Sequence, residues 1–218
     1  MSPLIVLETP GVYGLKPRFQ GLLRPLAGWL AGAGVRANQV TVFACVLSVA
    51  LGVLLLTSQD PRLFFLLPAV LLIRMALNAV DGMLAREFSQ DTKVGVYLNE
   101  LTDVVADTFL YLPFAHLHGF SPFWIWNVVV LAVISEMAGT VAVMAGASRR
   151  YDGPLGKSDR ALIFGAMGLW VGLAGGLPAL VASIFPKAMV VLLALTVVNR
   201  VRKGLQKSSI TEQKHAAM

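Results

Sequence analysis

Long runs of apolar residues alternate with short polar segments along this chain. Six of the runs are long enough to cross a bilayer as helices, since a span needs about 20 mainly apolar residues. The predicted spans are residues 38–58, 64–85, 95–117, 122–147, 159–176 and 180–202. The pattern therefore predicts an all-α integral membrane protein with six transmembrane helices.

A different pattern precedes the first span. Residues 15–33 mix basic side chains with Leu, Phe and Trp, which is typical of an amphipathic helix lying in the membrane interface. We therefore expect three regions. They are a cytoplasmic N-terminus with this interfacial helix at 1–37, one six-helix domain at 38–204, and a polar cytoplasmic tail at 205–218.

Composition and charge agree with a membrane protein. Of the 218 residues, 56% are hydrophobic and only 14% are charged. The net charge of +6 would also suit a nucleic-acid partner, but Lys and Arg collect on one predicted side of the membrane, and the other side has only Arg62 and Lys187. Basic loops mark the cytoplasmic side, so both termini should be cytoplasmic and no nucleic acid is expected. Cys45 has no second cysteine to pair with.

Polar residues interrupt the second and third spans at the cytoplasmic side. Asn78 and Asp81 are three residues apart in the second span. In the third span, residues recur at intervals of four: Gly95, Asn99, Asp103 and Asp107. On helices each set shares one face, and the loop 87–94 is short, so the two faces are expected to meet in one pocket.

These residue types suit a phosphate site. Carboxylates inside a membrane are costly and are functional candidates, and oxygen ligands without His or Cys favour a hard cation such as Mg²⁺, Mn²⁺ or Ca²⁺. Gly82 and Gly95 would let a ligand approach the backbone, and Arg86 suits phosphate oxygens. Helix-end polar groups and packing glycines are the alternative interpretation.

The same stretch resembles the signature of the CDP-alcohol phosphatidyltransferase family. That signature is D-x-x-D-G-x-x-A-R, about eight residues, and G-x-x-x-D-x-x-x-D. This chain reads NAVDGMLAR at 78–86 and GVYLNELTD at 95–103, so asparagines replace the first and third aspartates. The likeness covers most of the chain and points to a little-characterised bacterial branch of the family.

The resemblance implies a membrane enzyme of phospholipid biosynthesis. A small polar alcohol would attack the phosphate of CDP-diacylglycerol and release CMP. The cofactor would be Mg²⁺ or Mn²⁺. The protein would be a homodimer among the lipids of the bacterial inner membrane, with its active site on the cytoplasmic side.

The resemblance also assigns roles to residues. The metal ligands would be Asn78, Asp81, Asn99 and Asp103. Asp103 would also be the general base. The nucleotide and phosphates would contact Gly82, Ala85, Arg86 and Gly95.

The two asparagines leave three interpretations open. The site holds one metal or binds two more weakly, Glu100 or Asp107 supplies the missing carboxylate, or the protein has no catalytic activity. We favour an active enzyme, because Asp81, Arg86 and Asp103 remain in place.

Basic residues between the fourth and fifth spans are candidates for binding the acceptor. They are Arg149, Arg150, Lys157 and Arg160. They would favour an anionic alcohol such as glycerol 3-phosphate, with topology-setting charge as the alternative. Arg74 and Glu136 are expected to pair with each other or with neighbours, and Asn38 and Thr41 to cap the first span.

Other functions also remain open. A soluble CDP-alcohol could be the donor and diacylglycerol the acceptor. A non-catalytic protein that binds nucleotide or lipid and assists a partner enzyme is the alternative that the two asparagines favour. A transporter fits less well, because the polar groups gather at one membrane face.

Overall fold

The computed structural model describes residues 16–58 and 60–216, with side chains for 19–58 and 60–206. The helices are α1 (Lys16–Gly32), α2 (Ala37–Thr57), α3 (Leu66–Glu87), α4 (Lys93–Tyr111), α5 (Pro122–Met144), α6 (Lys157–Ala174) and α7 (Ala179–Ala216). Two short 3₁₀ helices, Pro61–Phe65 and Leu112–His116, precede α3 and follow α4. Residues 1–15 of the predicted N-terminal region lie outside the described residues. The described part is helical without strands, which confirms the all-α prediction.

Each predicted span coincides with one long helix of the structure. Among the described residues, four segments are long and apolar enough to cross a membrane: Ala37–Thr57, Pro61–Glu87, Pro122–Met144 and Ala179–Gln206. These segments are typical of a multi-pass membrane protein. The helices α4 and α6 carry more charged residues than such segments usually do, so a total of six spans stays a prediction.

The first helix lies against the end of α3. Its Ala27 is buried, whereas Leu22 and Trp29 are exposed. Arg24 forms a bidentate ion pair with Glu87, at 3.1 Å for both nitrogen–oxygen distances. Exposed apolar side chains suit a membrane-surface helix, but the interfacial position itself remains a prediction.

Glycine residues permit close packing of the helices, and two contacts illustrate this. A Cβ at Gly52 of α2 would lie 2.3 Å from the carbonyl oxygen of Phe109 on α4. A Cβ at Gly172 of α6 would lie 2.4 Å from the backbone nitrogen of Phe65. Because no side chain fits at either place, glycine allows α2 to touch α4, and α6 to touch the 3₁₀ helix that precedes α3.

An aromatic cluster forms the core next to the polar pocket. The rings of Tyr111 and Phe164 stack with centroids 4.0 Å apart, and Phe114 meets Phe164 edge-on at 5.1 Å. All three side chains are fully buried. Asp107 lies one turn before Tyr111, so the charged groups of α4 lie directly on an apolar base.

The helix α6 ends close to the predicted position, whereas α7 does not. Gly175, with φ of 72°, ends α6 in the left-handed conformation that glycine tolerates. By contrast, α7 continues to Ala216, well past residue 202, so most of the predicted tail at 205–218 extends the last helix. Residues 217 and 218 lie outside the described part.

Candidate functional site

The two halves of the signature meet where α3 faces α4. Asn78 Nδ2 donates a hydrogen bond to Asp103 Oδ1 at 3.0 Å. The turn between the helices is short, and Thr92 caps α4 by accepting a hydrogen bond from the Gly95 backbone nitrogen at 2.9 Å. The predicted convergence of the two faces is therefore present.

Asp81 lies deep in this pocket and is held by α2. Its side chain is 5% exposed, and its Oδ2 accepts a hydrogen bond from Thr41 Oγ1 at 2.7 Å. The prediction that Thr41 and Asn38 cap α2 is wrong, because the helix already starts at Ala37. Thr41 instead lies one turn inside α2, where its hydroxyl reaches across to the carboxylate.

Asp103 is surrounded by positively charged and amide donors. Arg74 Nη2 lies 3.2 Å from Oδ1, the oxygen that also accepts from Asn78, and donates to the Asp103 backbone oxygen at 3.0 Å. The ammonium of Lys157, the first residue of α6, contacts the other oxygen, Oδ2. Both carboxylate oxygens of the predicted general base therefore have partners in the structure.

A buried chain of ion pairs continues inward from Asp103. Asp107 binds Arg74 through Oδ1 at 2.5 Å and Arg160 through Oδ2 at 3.0 Å. Arg160, which is fully buried, also contacts Glu136 Oε1 at 2.9 Å. Arg74 and Glu136 thus pair with neighbours and not with each other. Each charge in this chain of ion pairs faces an opposite one, which offsets the cost of a low-dielectric interior.

The outer basic residues also face carboxylates. Arg149 lies 2.6 Å from Glu100 and 3.5 Å from Glu136. The structure therefore brings Arg149, Lys157 and Arg160 to the pocket through their acidic partners. Both auxiliary carboxylates contact arginines in this structure, Glu100 through Arg149 and Asp107 through Arg74 and Arg160.

Arg150 turns away from this pocket toward α7. Its Nη2 lies 2.6 Å from Asp152 Oδ2, and Lys203 of α7 lies 2.9 Å from Asp152 Oδ1. Burial raises the pKa of Asp152, but the hydrogen bond from Lys203 and the charge of Arg150 outweigh it. The pKa therefore lies below its usual value, and Arg150 serves to fix the loop before α6.

Sequence reasoning missed Arg200. This side chain of α7 is 1% exposed, lies 3.4 Å from Glu136 Oε2 and donates to the Ser135 backbone oxygen. Its position inside the sixth predicted span was the available signal, because ionisable residues within spans commonly form functional or structural pairs.

The glycines of the signature border occupied space. A Cβ on Gly82 would lie 3.0 Å from Arg86 Nη2, and a Cβ on Gly95 would lie 2.8 Å from Asn38 Oδ1. Arg86 is exposed and Ala85 half-buried. A ligand that reached either glycine would have to displace the end of a flexible side chain, which is feasible for both contacts.

The donor atoms show whether the signature suits a divalent cation. Asp81 and Asp103 offer carboxylate oxygens, while Asn78 and Asn99 offer amide oxygens, and all are hard ligands. Asn78 turns its Nδ2 toward Asp103, so its Oδ1 is the atom left to ligate a cation. Within the described part of the chain, no three His, Cys, Asp or Glu residues are grouped to hold a metal. The set therefore fits a hard cation that is bound with few anionic ligands.

Comparison with known proteins identifies relatives over most of the chain. A sequence model of the family described as CDP-alcohol phosphatidyltransferase matches residues 35–201. Inner membrane protein YnbA of Escherichia coli (strain K12) is 48% identical over 162 residues, 74% of this chain and 81% of YnbA. An uncharacterized protein of Aquifex aeolicus (strain VF5) is 35% identical over 103 residues, 47% of this chain and 49% of that protein. The resemblance inferred from the signature is confirmed.

Solved structures share the same fold. Mycobacterium tuberculosis phosphatidylinositol phosphate synthase (PgsA1) in complex with manganese and citrate has a TM-score of 0.69 at 20% identity, covering 83% of this chain and 88% of that chain. The same synthase with CDP-DAG bound has a TM-score of 0.65 at 20% identity, covering 84% and 92%. At this identity the likeness establishes the helical architecture.

Proposed function

The chain belongs to the CDP-alcohol phosphatidyltransferase family, and from that premise we propose that it transfers the phosphatidyl group of CDP-diacylglycerol to a small polar alcohol. The hydroxyl oxygen attacks the phosphorus attached to diacylglycerol, and the bond from that phosphorus to CMP breaks. The observation that carries the proposal is the convergence of Asn78, Asp81 and Asp103 between α3 and α4, beside Lys157. The synthase solved with CDP-DAG supports the donor.

We assign the chemistry as follows. Asp103 accepts the proton of the attacking hydroxyl. Arg86 at the end of α3 binds the phosphates, and Gly82, Ala85 and Gly95 border the nucleotide. Mg²⁺ or Mn²⁺, held by Asp81, Asp103 and the amides of Asn78 and Asn99, would neutralise the pyrophosphate and stabilise CMP as the leaving group.

The acceptor we propose is anionic, such as glycerol 3-phosphate or another polyol phosphate. Arg149 is 24% exposed and Lys157 is 32% exposed, so both are accessible to a ligand, whereas Arg160 is not exposed. An anionic group would compete with Glu100 and Asp103 for these cations. Binding would thereby release Asp103 from the lysine at the time when it is needed as a base.

The location and assembly follow from family and topology. We propose a bacterial inner-membrane protein with both termini and the site on the cytoplasmic side, working as a homodimer. The basic loops around the site support that orientation.

One observation favours a second candidate, a non-catalytic protein that binds nucleotide or lipid and assists a partner enzyme. Asparagines occupy two signature positions, and Asp103 is already neutralised by Arg74 and Lys157. Both oxygens of the proposed base are therefore occupied until a ligand displaces these cations.

The test is CMP release from labelled CDP-diacylglycerol by the purified protein with Mg²⁺ or Mn²⁺. A panel of acceptors would include glycerol 3-phosphate, glycerol and serine, and a separate reaction would offer a soluble CDP-alcohol with diacylglycerol. We expect turnover with a phosphorylated acceptor. Asp103→Asn should abolish it, whereas Asp91→Asn, an exposed carboxylate in the loop after α3, should not.

The outcomes separate the candidates. No CMP release with any acceptor, from protein that still binds CDP-diacylglycerol, would refute catalysis and favour the assisting role. Turnover only with the soluble donor would replace the proposed donor. Activity that survives Asp103→Asn would show that another group accepts the proton.

A further inference from the structure

The salt bridge between Lys157 and Asp103 is unusual for a site expected to hold a metal. The ammonium lies on Oδ2 of the carboxylate that should ligate the cation. Asn78 donates its amide to the other oxygen. A signature with four aspartates would present only carboxylate oxygens to metal ions. In this pocket the ammonium of Lys157 already supplies a positive charge.

The lysine is held in place by its surroundings. Leu155, two residues earlier, is buried, and its backbone nitrogen donates a hydrogen bond to Thr196 Oγ1 at 3.1 Å. Asp159 Oδ2 accepts from the Gly156 nitrogen at 2.9 Å and closes the first turn of α6. A lysine at the first position of a helix opposes the helix dipole. Its partner Asp103 offsets that cost, so the ion pair explains why the residue is tolerated there.

The charges of the pocket balance without a metal. The acidic residues are Asp81, Glu100, Asp103, Asp107 and Glu136, and the basic residues that pair with them or lie beside them are Arg74, Arg149, Lys157, Arg160 and Arg200. The two groups are equal in number. Arg86, which we assign to the phosphates, lies outside this count, so a single divalent cation already gives the pocket a net positive charge for the two negative charges of a diphosphate. Aspartates at positions 78 and 99 would add two negative charges and accommodate one more divalent cation.

We propose that this is a one-cation site in which the Lys157 ammonium supplies the positive charge of a second metal ion. The proposal rests on the proposed function in taking the signature as the cation site. Asp81, Asp103 and the oxygen of Asn78 bind the single divalent ion. Lys157 remains on the other side of Asp103 until an anionic acceptor attracts it.

Metal binding without substrate provides the test. Mn²⁺ would be titrated into the purified protein in detergent and followed by electron paramagnetic resonance, which counts free and bound ions. We expect one bound Mn²⁺ per chain. Lys157→Met should lower the dissociation constant for Mn²⁺ roughly ten-fold or more. The ammonium that it removes lies next to a metal ligand and repels a divalent ion even at an effective dielectric constant of about 20. Lys157→Arg keeps the charge and should stay near the wild-type value.

Control and second variants make the result interpretable. Lys187→Met removes an exposed lysine from the predicted opposite face and should leave Mn²⁺ affinity unchanged. Asn78→Asp adds a negative charge where Lys157→Met removes a positive one, so it should also raise the Mn²⁺ affinity. This variant provides the test if Lys157→Met does not fold. The pair Asn78→Asp and Asn99→Asp should bind a second Mn²⁺.

Several results would overturn the inference. Two Mn²⁺ ions, or none, bound to the wild type would do so, as would unchanged affinity in both Lys157→Met and Asn78→Asp. CMP release in the same preparations is a separate readout. If no CMP is released but Mn²⁺ binds as expected, the proposed catalysis is refuted and the one-cation site is not. If CMP is released and two Mn²⁺ ions are bound, only the one-cation site is refuted.

Discussion

Asp107 should be among the most important residues for stability, and Asp107→Asn tests this. The substitution keeps the shape of the side chain but removes the charge that two buried arginines share. Asp107 has 8% of its side chain exposed, Arg74 has 4% and Arg160 has none. Glu136 still faces Arg160 after the change, while Arg74 keeps only Asp103.

The magnitude follows from burial. Removing one partner of a buried ion pair typically costs about 3–5 kcal/mol, because the remaining charge is left in a medium of low dielectric. The Arg149–Glu100 pair provides the contrast, since its side chains are 24% and 27% exposed. Solvent-exposed pairs contribute only about 0–1 kcal/mol, and this pair is nearer to that case than the pairs of Asp107, so Glu100→Gln should cost less than Asp107→Asn.

The assay is reversible unfolding of the purified protein by SDS in mixed micelles, followed by tryptophan fluorescence. Tyr111→Phe is a second control, one turn away on α4. The Tyr111 hydroxyl is buried and lacks a hydrogen-bond partner in the described part of the chain, so its removal should leave the free energy of unfolding equal or higher. If Asp107→Asn lost no more stability than Glu100→Gln, the buried network would not be what holds these helices together.

Further predictions concern packing, pH and the position of Asp81. Gly52→Ala should lower the free energy of unfolding by about 1–3 kcal/mol through overpacking, whereas Gly28→Ala, which has open space, should stay within about 0.5 kcal/mol; thermal unfolding compares them. Because the folded pKa of Asp152 is depressed, its stabilisation is fully present above the usual pKa of about 3.9 and is lost as pH falls through the folded value. Asp152→Asn should therefore flatten the stability profile between about pH 5 and lower pH, and an unchanged profile would contradict the ion-pair assignment. Thr41→Val should weaken Mn²⁺ binding by misplacing Asp81, while Thr41→Ser should retain it, and equal affinities in the two variants would contradict this role.

The helices could be predicted well from the sequence because apolar runs of bilayer length have few alternatives in lipid. The starts of α2, α5 and α6 lie within two residues of the predicted spans. The end of α7 was predicted too early, since neither a polar surface nor Gly204, which lies within the helix, ends it before Ala216.

The site was predicted in part. The spacing of Asn78 and Asp81 on one helix and Asp103 on the next predicted the pocket, because residues three or four apart share a helical face. The partner of Asp81 was missed, because Thr41 is 40 positions away in the chain and belongs to another helix. Arg200 was missed although it lies inside the sixth predicted span, and its partner Glu136, on another helix, could not be read from spacing.

By itself, the sequence determined the helical class, the family and the residues of the signature, since these depend on local hydrophobicity and on short spacings. Only the tertiary structure decided which charge neutralises which. Lys157 could equally have faced lipid headgroups or an acceptor, and Arg74 could have paired with Glu136. The positions of α3 and α6 beside α4 placed both on Asp103, because a carboxylate that is largely withdrawn from water is stabilised by cations that neighbouring helices bring within reach.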